Sequence, residues 1–253
     1  MNPAPPPSWI VPDWAAPTRV RALITTRIGG DSAGAYAGFN LGVHVGDDER
    51  AVERNRRALR VHLPADPLWM RQVHGAQVLD ADATGPHLLV EADAAVTRSV
   101  QKVLAVLTAD CLPVLLCDDS GSVVGVAHAG WRGLAAGVIE RAVGAMRIDP
   151  ERLLAYIGPA IGASAYEVGE DVRAAFVQGS RSAVHAFPPC GDAKPGKYLA
   201  DLGLLARQRL GRCGVMRIAG GTLCTHADRE RFYSFRRDGA TGRFASLIWI
   251  SDQ

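Results

Sequence analysis

Three segments of the chain end an apolar run in a potential metal ligand followed by a turn. They are Gln72-Val73-His74-Gly75, Thr108-Ala109-Asp110-Cys111-Leu112-Pro113 and Val126-Ala127-His128-Ala129-Gly130-Trp131-Arg132-Gly133. A single histidine in such a place is ordinarily structural. Three ligands in one local setting form a constellation, because a buried strand has little reason to end three times in an imidazole or a thiolate. Imidazole and thiolate together favour Zn2+. His74, Cys111 and His128, with a fourth position open, match a catalytic zinc centre, whereas structural zinc is closed by four protein ligands. Cys117 is the obvious fourth ligand for a structural site, which would make the protein an interaction module. Cys111 also admits a nucleophile reading, with His128 as its base and Asp110 nearby.

Several metal classes fall away. The chain has no H-E-x-x-H and no C-x-x-C, and His128 is followed by Ala129-Gly130 rather than by the x-Glu of zinc nucleobase deaminases. The seven histidines include no pair two apart, against a multicopper oxidase. A second theme is arginine: Arg27, Arg132, Arg236 and Arg237 lie in or beside turn-like segments. A planar guanidinium binds phosphate in a bidentate way. Arg132 also precedes a helix start, where free N–H groups favour an anion.

The elements that must position these residues follow from periodicity. Strands are expected at 20–26, 68–73, 92–97, 103–107, 113–117, 123–128, 153–157, 217–219 and 244–250. Helices are expected at 49–61, 134–146, 170–178 and 202–210. The segment 39–48 reads as a loop. This mixture, without a strict βαβ rhythm, gives one α+β (mixed α/β) domain over residues 18–253, preceded by a flexible, proline-rich tail over 1–17.

Composition bounds the partners. Over 253 residues, 28 Lys and Arg nearly balance 26 Asp and Glu, so no electrostatic case for nucleic acid arises. No apolar run approaches a membrane span, and Met1–Pro7 lacks the pattern of a secretory signal. Five cysteines without an export signal fit a reducing, cytoplasmic compartment. Nothing in the pattern demands a partner chain, so a monomer is expected.

The three ligand segments recur in order with Thr25-Thr26-Arg27-Ile28-Gly29-Gly30, Asn40-Leu41-Gly42 running to His44-Val45-Gly46-Asp47-Asp48, Ile157-Gly158-Pro159 and Phe232-Tyr233-Ser234-Phe235-Arg236-Arg237-Asp238. From about residue 20 to the C-terminus the chain resembles the YfiH-like family, also labelled laccase-domain or multicopper polyphenol oxidase proteins and, in bacteria, peptidoglycan editing factor. One departure is Gly30-Asp31-Ser32, where many members have glycine, valine and serine. The resemblance implies a layered α-β-β-α fold and a zinc ion on His74, Cys111 and His128. It implies phosphorolysis of adenosine, inosine, guanosine and methylthioadenosine, with adenosine deamination alongside. On that reading Cys111, Asp110 and Arg132 serve catalysis, Asp110 by orienting His128 or shuttling a proton. Arg27, Asn40, His44 and Arg237 would contact the purine nucleoside or phosphate. The editing-factor label suggests an alternative, a cytoplasmic hydrolase that removes a mis-incorporated amino acid from a cell-wall precursor.

Overall fold

The central strands read as unbroken apolar runs because both of their faces are buried. In the computed structural model, which describes residues 3–83 and 90–252, the first half of the chain forms β1 (Val20–Ile24), α1 (Glu49–Arg60), β2 (Pro67–Leu68), β3 (Val78–Asp80), β4 (Ala94–Thr97), β5 (Val103–Thr108), β6 (Leu112–Asp118), β7 (Val124–Ala129), α2 (Trp131–Ala135) and α3 (Val138–Met146). The second half adds β8 (Leu153–Ile157), β9 (Glu167–Gly169), α4 (Glu170–Val177), β10 (Lys197–Leu199), α5 (Leu202–Arg212), β11 (Arg217–Gly220), α6 (Phe235–Asp238) and β12 (Phe244–Ile250).

Two sheets stack. One is four-stranded, in the order β1-β12-β5-β2, and the other six-stranded, in the order β11-β8-β6-β7-β4-β3. Side-chain alternation sorts the core into three apolar layers. Leu104 and Val106 of β5 meet Leu115 of β6 and Val126 of β7 between the sheets. Val103, Ala105 and Leu107 of β5 face the other way and pack with Leu59 of α1. Leu112, Val114 and Leu116 of β6 face α3 and α5, through Val138, Ile139, Leu205 and Leu210. The result is the α-β-β-α layering implied by the family resemblance.

Three expectations are corrected. The strand expected over 68–73 stops at Leu68, because beyond it Gln72 offers its side-chain amide in place of backbone. Its Nε2 donates to the Leu107 carbonyl at 2.9 Å and its Oε1 accepts from the Leu107 N–H at 2.8 Å. The helix expected over 134–146 is two helices, α2 and α3, broken at Gly137, whose φ of 87° no helix contains. The flexible tail expected over 1–17 is held down from Trp9 onward. Trp9 is buried against Phe39 and His62, and Ile10 bridges Ile24.

That last correction gives a test. Trp9→Ala should destabilise the protein by about 3 kcal/mol in denaturant unfolding, the usual cost of emptying a buried aromatic site. A loose tail would show no change.

Candidate active site

Strand register brings the three ligand segments together. Leu112 pairs with Ala129 and Pro113 with His128, so Cys111 arrives beside Gly130 at the end of β7. Ala94 pairs with Ala127, which sets Asp93 opposite His128. Val78 pairs with Ala94, which brings the turn at His74 to the same edge. The ligand atoms of His74, Cys111 and His128 all lie within 4.8 Å of one another. The two imidazole rings meet edge to face at 4.8 Å. His128 is buried, Cys111 half-buried and His74 exposed, so the group opens to solvent on one side.

The residues fit a metal ion. Bonds of about 2.0–2.3 Å would hold tetrahedral ligands roughly 3.3–3.8 Å apart, a small contraction of the observed group. Gly130 leaves the necessary room, since a Cβ there would lie 2.8 Å from the Cys111 Sγ and 3.2 Å from the His74 Cδ2. Cys117, the candidate fourth ligand, is excluded by its place. It sits on the inner face of β6 between the sheets, roughly 20 Å along the strand from Cys111 at ~3.3 Å per residue. Burial there pushes its thiol up to about 12. Among the described residues the group that could hold a metal ion therefore has three protein members.

Asp93, which was not singled out from the sequence, organises the group. Its Oδ1 accepts from the His128 Nδ1 at 2.8 Å and from the His74 N–H at 2.9 Å. Its Oδ2 accepts from the N–H groups of Gly75 at 2.7 Å and Val73 at 3.2 Å. The first bond places the His128 proton on Nδ1 and leaves Nε2 as the atom that would ligate a metal, the usual second support of a metal-bound histidine. The others hold the turn in which His74 adopts a left-handed backbone at φ 59°. Although burial opposes ionisation of Asp93, the His128 ring and these N–H groups keep its carboxyl below the usual range. The available signal was an acidic residue at the head of the apolar run Ala94–Thr97.

Without a metal, burial alone would raise the Cys111 thiol, but the imidazoles of His128 and His74 bring it down to about 6. Burial lowers His128, yet the Cys111 thiolate and Asp93 outweigh it and hold the ring up at about 9. Cys111, His128 and Asp93 thus form a nucleophile, base and orienting carboxylate, with Asp93 in the place expected for Asp110.

Asp110 is committed elsewhere, which corrects its expected role in orienting His128. Its carboxylate accepts from the Thr225 hydroxyl at 2.6 Å, the Ser234 hydroxyl at 3.0 Å and the Arg236 N–H at 2.7 Å. It ties the C-terminal segments to the turn that carries Cys111. Arg237 is corrected as well. Its side chain is 8% exposed, and it donates to the carbonyls of Thr225, His226 and Phe232 and to Asp238, so no edge remains for a phosphate. Asn40 is fully buried and equally occupied, donating to Asp47 and Gly42 and accepting from the N–H groups of Gly42 and Arg243. It shapes the loop that presents His44.

His44 is exposed, and its ring lies within electrostatic range of His74 and His128. Burial of the ring, then Arg243, Arg56 and the two cluster histidines, hold it below its ordinary value, so it is neutral at pH 7. Arg132 is exposed and stacked over Trp131 at 4.5 Å. Arg27 lies over the Tyr233 ring and donates to the Ala37 carbonyl. Tyr166 joins the rim under Arg236, 5.0 Å from its ring, and its phenol is pushed up to about 12 by burial and by the Cys111 charge. An open groove runs between the turn after His74, at Gly75, Ala76 and Val78, and the helical segment at Ala136 and Arg141; His74, Cys111 and His128 are not in its lining.

Two measurements check this geometry. Asp93→Asn should weaken metal affinity by roughly 10- to 100-fold in a chelator competition, the usual effect of losing such a support. In metal-stripped protein, alkylation of Cys111 should fall off only below about pH 6, because the thiolate persists down to there. An unperturbed thiol would lose reactivity already below ~8.5.

Comparison with known proteins adds the lineage. Residues 21–251 match the model of a family described as multi-copper polyphenol oxidoreductase laccase. A purine nucleoside phosphorylase of Pseudomonas aeruginosa is 51% identical over 97% of this chain and 99% of its own length. Purine nucleoside phosphorylase YfiH of Escherichia coli is 49% identical over 95% of this chain and 98% of its own. Among solved structures, a Neisseria meningitidis protein superposes with a TM-score of 0.91 at 49% identity, covering 96% of this chain and 99% of that one. Bacillus licheniformis YfiH superposes at 0.84 with 31% identity, covering 92% and 93%. The chain belongs to this YfiH family, the one described as multi-copper polyphenol oxidoreductase laccase.

Proposed function

We propose that the chain is a zinc-dependent purine nucleoside phosphorylase acting on adenosine, inosine, guanosine and methylthioadenosine, with adenosine deamination as a further activity. The observation that carries this reading is the His74, Cys111 and His128 group, open on one side and oriented by Asp93. The purine nucleoside phosphorylases of Pseudomonas aeruginosa and Escherichia coli, similar over nearly their whole length, support the reaction class. Zinc suits a group transfer because it has no redox chemistry. When bound it supplies Lewis acidity at the open position.

In phosphorolysis a phosphate oxygen forms a bond to the ribose C1′ while the bond from C1′ to purine N9 breaks. The electron pair leaves with the base, which takes up a proton. The chain's task is to hold both reactants in line and to meet the charge that develops. Neutral His44 can donate a hydrogen bond to the departing base or to a ribose hydroxyl. The exposed Arg132, stacked on Trp131, adds positive charge at the rim. The groove beside His74 can receive the body of the nucleoside. Five free cysteines fit a reducing, cytoplasmic setting.

The Cys111, His128 and Asp93 constellation favours a second reading, in which a Cys111 thiolate attacks an acyl group of a cell-wall precursor and water releases it. One experiment separates the two. Purified protein is assayed for metal and incubated with inosine or adenosine, with and without phosphate. The phosphorylase reading expects near-stoichiometric zinc, release of free base with ribose 1-phosphate only when phosphate is present, and inosine formation from adenosine. Cys111→Ala should lose zinc and more than about 100-fold in turnover, a larger effect than loss of a second-layer support. Nucleosides left untouched by zinc-loaded protein would overturn it and favour the hydrolase.

A further inference from the structure

Phosphorolysis needs a seat for the phosphate dianion, and of the three arginines taken from the sequence for that task, Arg27, Arg132 and Arg237, the last is occupied. Arg243 has the opposite arrangement. Its Nη1 donates to the carbonyls of Thr241 at 2.9 Å and Gly242 at 3.0 Å, which uses both protons of that nitrogen. Its Nε and Nη2 have no hydrogen-bond partner among the described residues, and no carboxylate there pairs with it. The unoccupied edge is the planar fork that matches two oxygens of a phosphate.

Position and setting point the same way. Arg243 is partly buried, where an unmatched charge is costly and marks a place for an anion. Arg132, by contrast, is exposed, and an unpaired charge in water needs no ligand. Arg243 precedes Phe244, which pairs with Thr108, so it lies across from the turn that carries Asp110 and Cys111. Its guanidinium acts electrostatically on His44, and Cys111 and Asp110 act on it. The side chain is also held rigidly. The Arg243 N–H donates to the buried Asn40 side chain at 2.8 Å. A Cβ on Gly42 would come 2.9 Å from the Arg243 Cγ, so the loop closes directly over the arginine stem. A pre-set fork beside an open metal-ligating group is an arrangement for binding, not for folding.

We propose that the Nε and Nη2 edge of Arg243 is the bidentate seat of the phosphate co-substrate, on the His44 side of the metal-ligating group. This rests on the phosphorylase reading. Asn40 and Gly42 are its positioning residues, acting through the Arg243 backbone and stem.

The test uses zinc-loaded wild type, Arg243→Gln and Arg243→Lys, each checked by thermal unfolding. Inorganic phosphate binding is measured by calorimetry without nucleoside, and the KM values for phosphate and inosine are measured separately. Arg243→Gln should weaken phosphate binding and raise the phosphate KM by roughly 10- to 100-fold, the worth of charged hydrogen bonds, with the inosine KM within about threefold. Arg243→Lys keeps the charge and the stem but not the fork, and should weaken phosphate by several-fold or more. Should Arg243→Gln fail to fold, the lysine variant decides. Unchanged phosphate affinity and KM in either folded variant of an active phosphorylase would overturn the seat. Phosphate binding that depends on Arg243 in a wild type without phosphorolysis would support an anion seat and overturn the phosphorylase reading instead.

Discussion

The Asp93 carboxylate is the constraint on which the rest of the site depends. It is fully buried, and such a charge is tolerated only when its oxygens are met by donors. Four donors meet it, and each belongs to a ligand segment: the His128 ring and the N–H groups of Val73, His74 and Gly75. One side chain therefore fixes the tautomer of one ligand and the backbone of another. A second contact from the same residue, its carbonyl accepting from the His128 N–H at 2.6 Å, locks the two strands in register. Removing the carboxylate would leave these donors buried and unmatched, which costs more than the bonds themselves contribute.

The layered fold makes that arrangement possible. The turn from Ala109 to Cys111 crosses from the four-stranded to the six-stranded sheet, because β5 belongs to one and β6 to the other. Asp110 is held there at φ 89° by Thr225, Ser234 and Arg236. The C-terminal motif thus braces the turn that presents Cys111, and its Arg237 clamps neighbouring carbonyls. The loop from Asn40 to Asp47, held to Arg243, closes the other side. Residues that look alike in sequence, short polar groups and arginines in glycine-rich loops, divide in space into braces and free groups.

That division explains how much was legible in the sequence. The central strands of the double sheet were, since two-sided burial leaves continuous apolar runs such as Val103–Thr108 and Leu112–Asp118, whereas the short edge strands β2 and β3 were not. The grouping of His74, Cys111 and His128 was legible too, because imidazole and thiolate at strand ends are conspicuous. Roles that depend on partners distant in sequence were not. Asp93 and Asp110 are both acidic residues beside buried strands, and only the register shows that the first meets His128 and the second meets Ser234. Arg237 and Arg243 are both arginines in a glycine-rich stretch, and only the carbonyls around them tell an occupied guanidinium from an available one. The helix break at Gly137 and the Gln72 side chain standing in for a strand were hidden for the same reason, since each depends on a neighbour that periodicity does not register.

The most direct test of the central claim is the coordination shell itself, read by X-ray absorption at the zinc edge on purified protein. The account predicts two nitrogen ligands at about 2.0–2.1 Å, one sulfur at about 2.3 Å, and a remaining light-atom position that changes when phosphate is added. Asp93→Asn should broaden the nitrogen shell and leave the sulfur in place. A shell with two or more sulfurs, or one closed by four protein ligands and indifferent to phosphate, would contradict an open centre built on His74, Cys111 and His128.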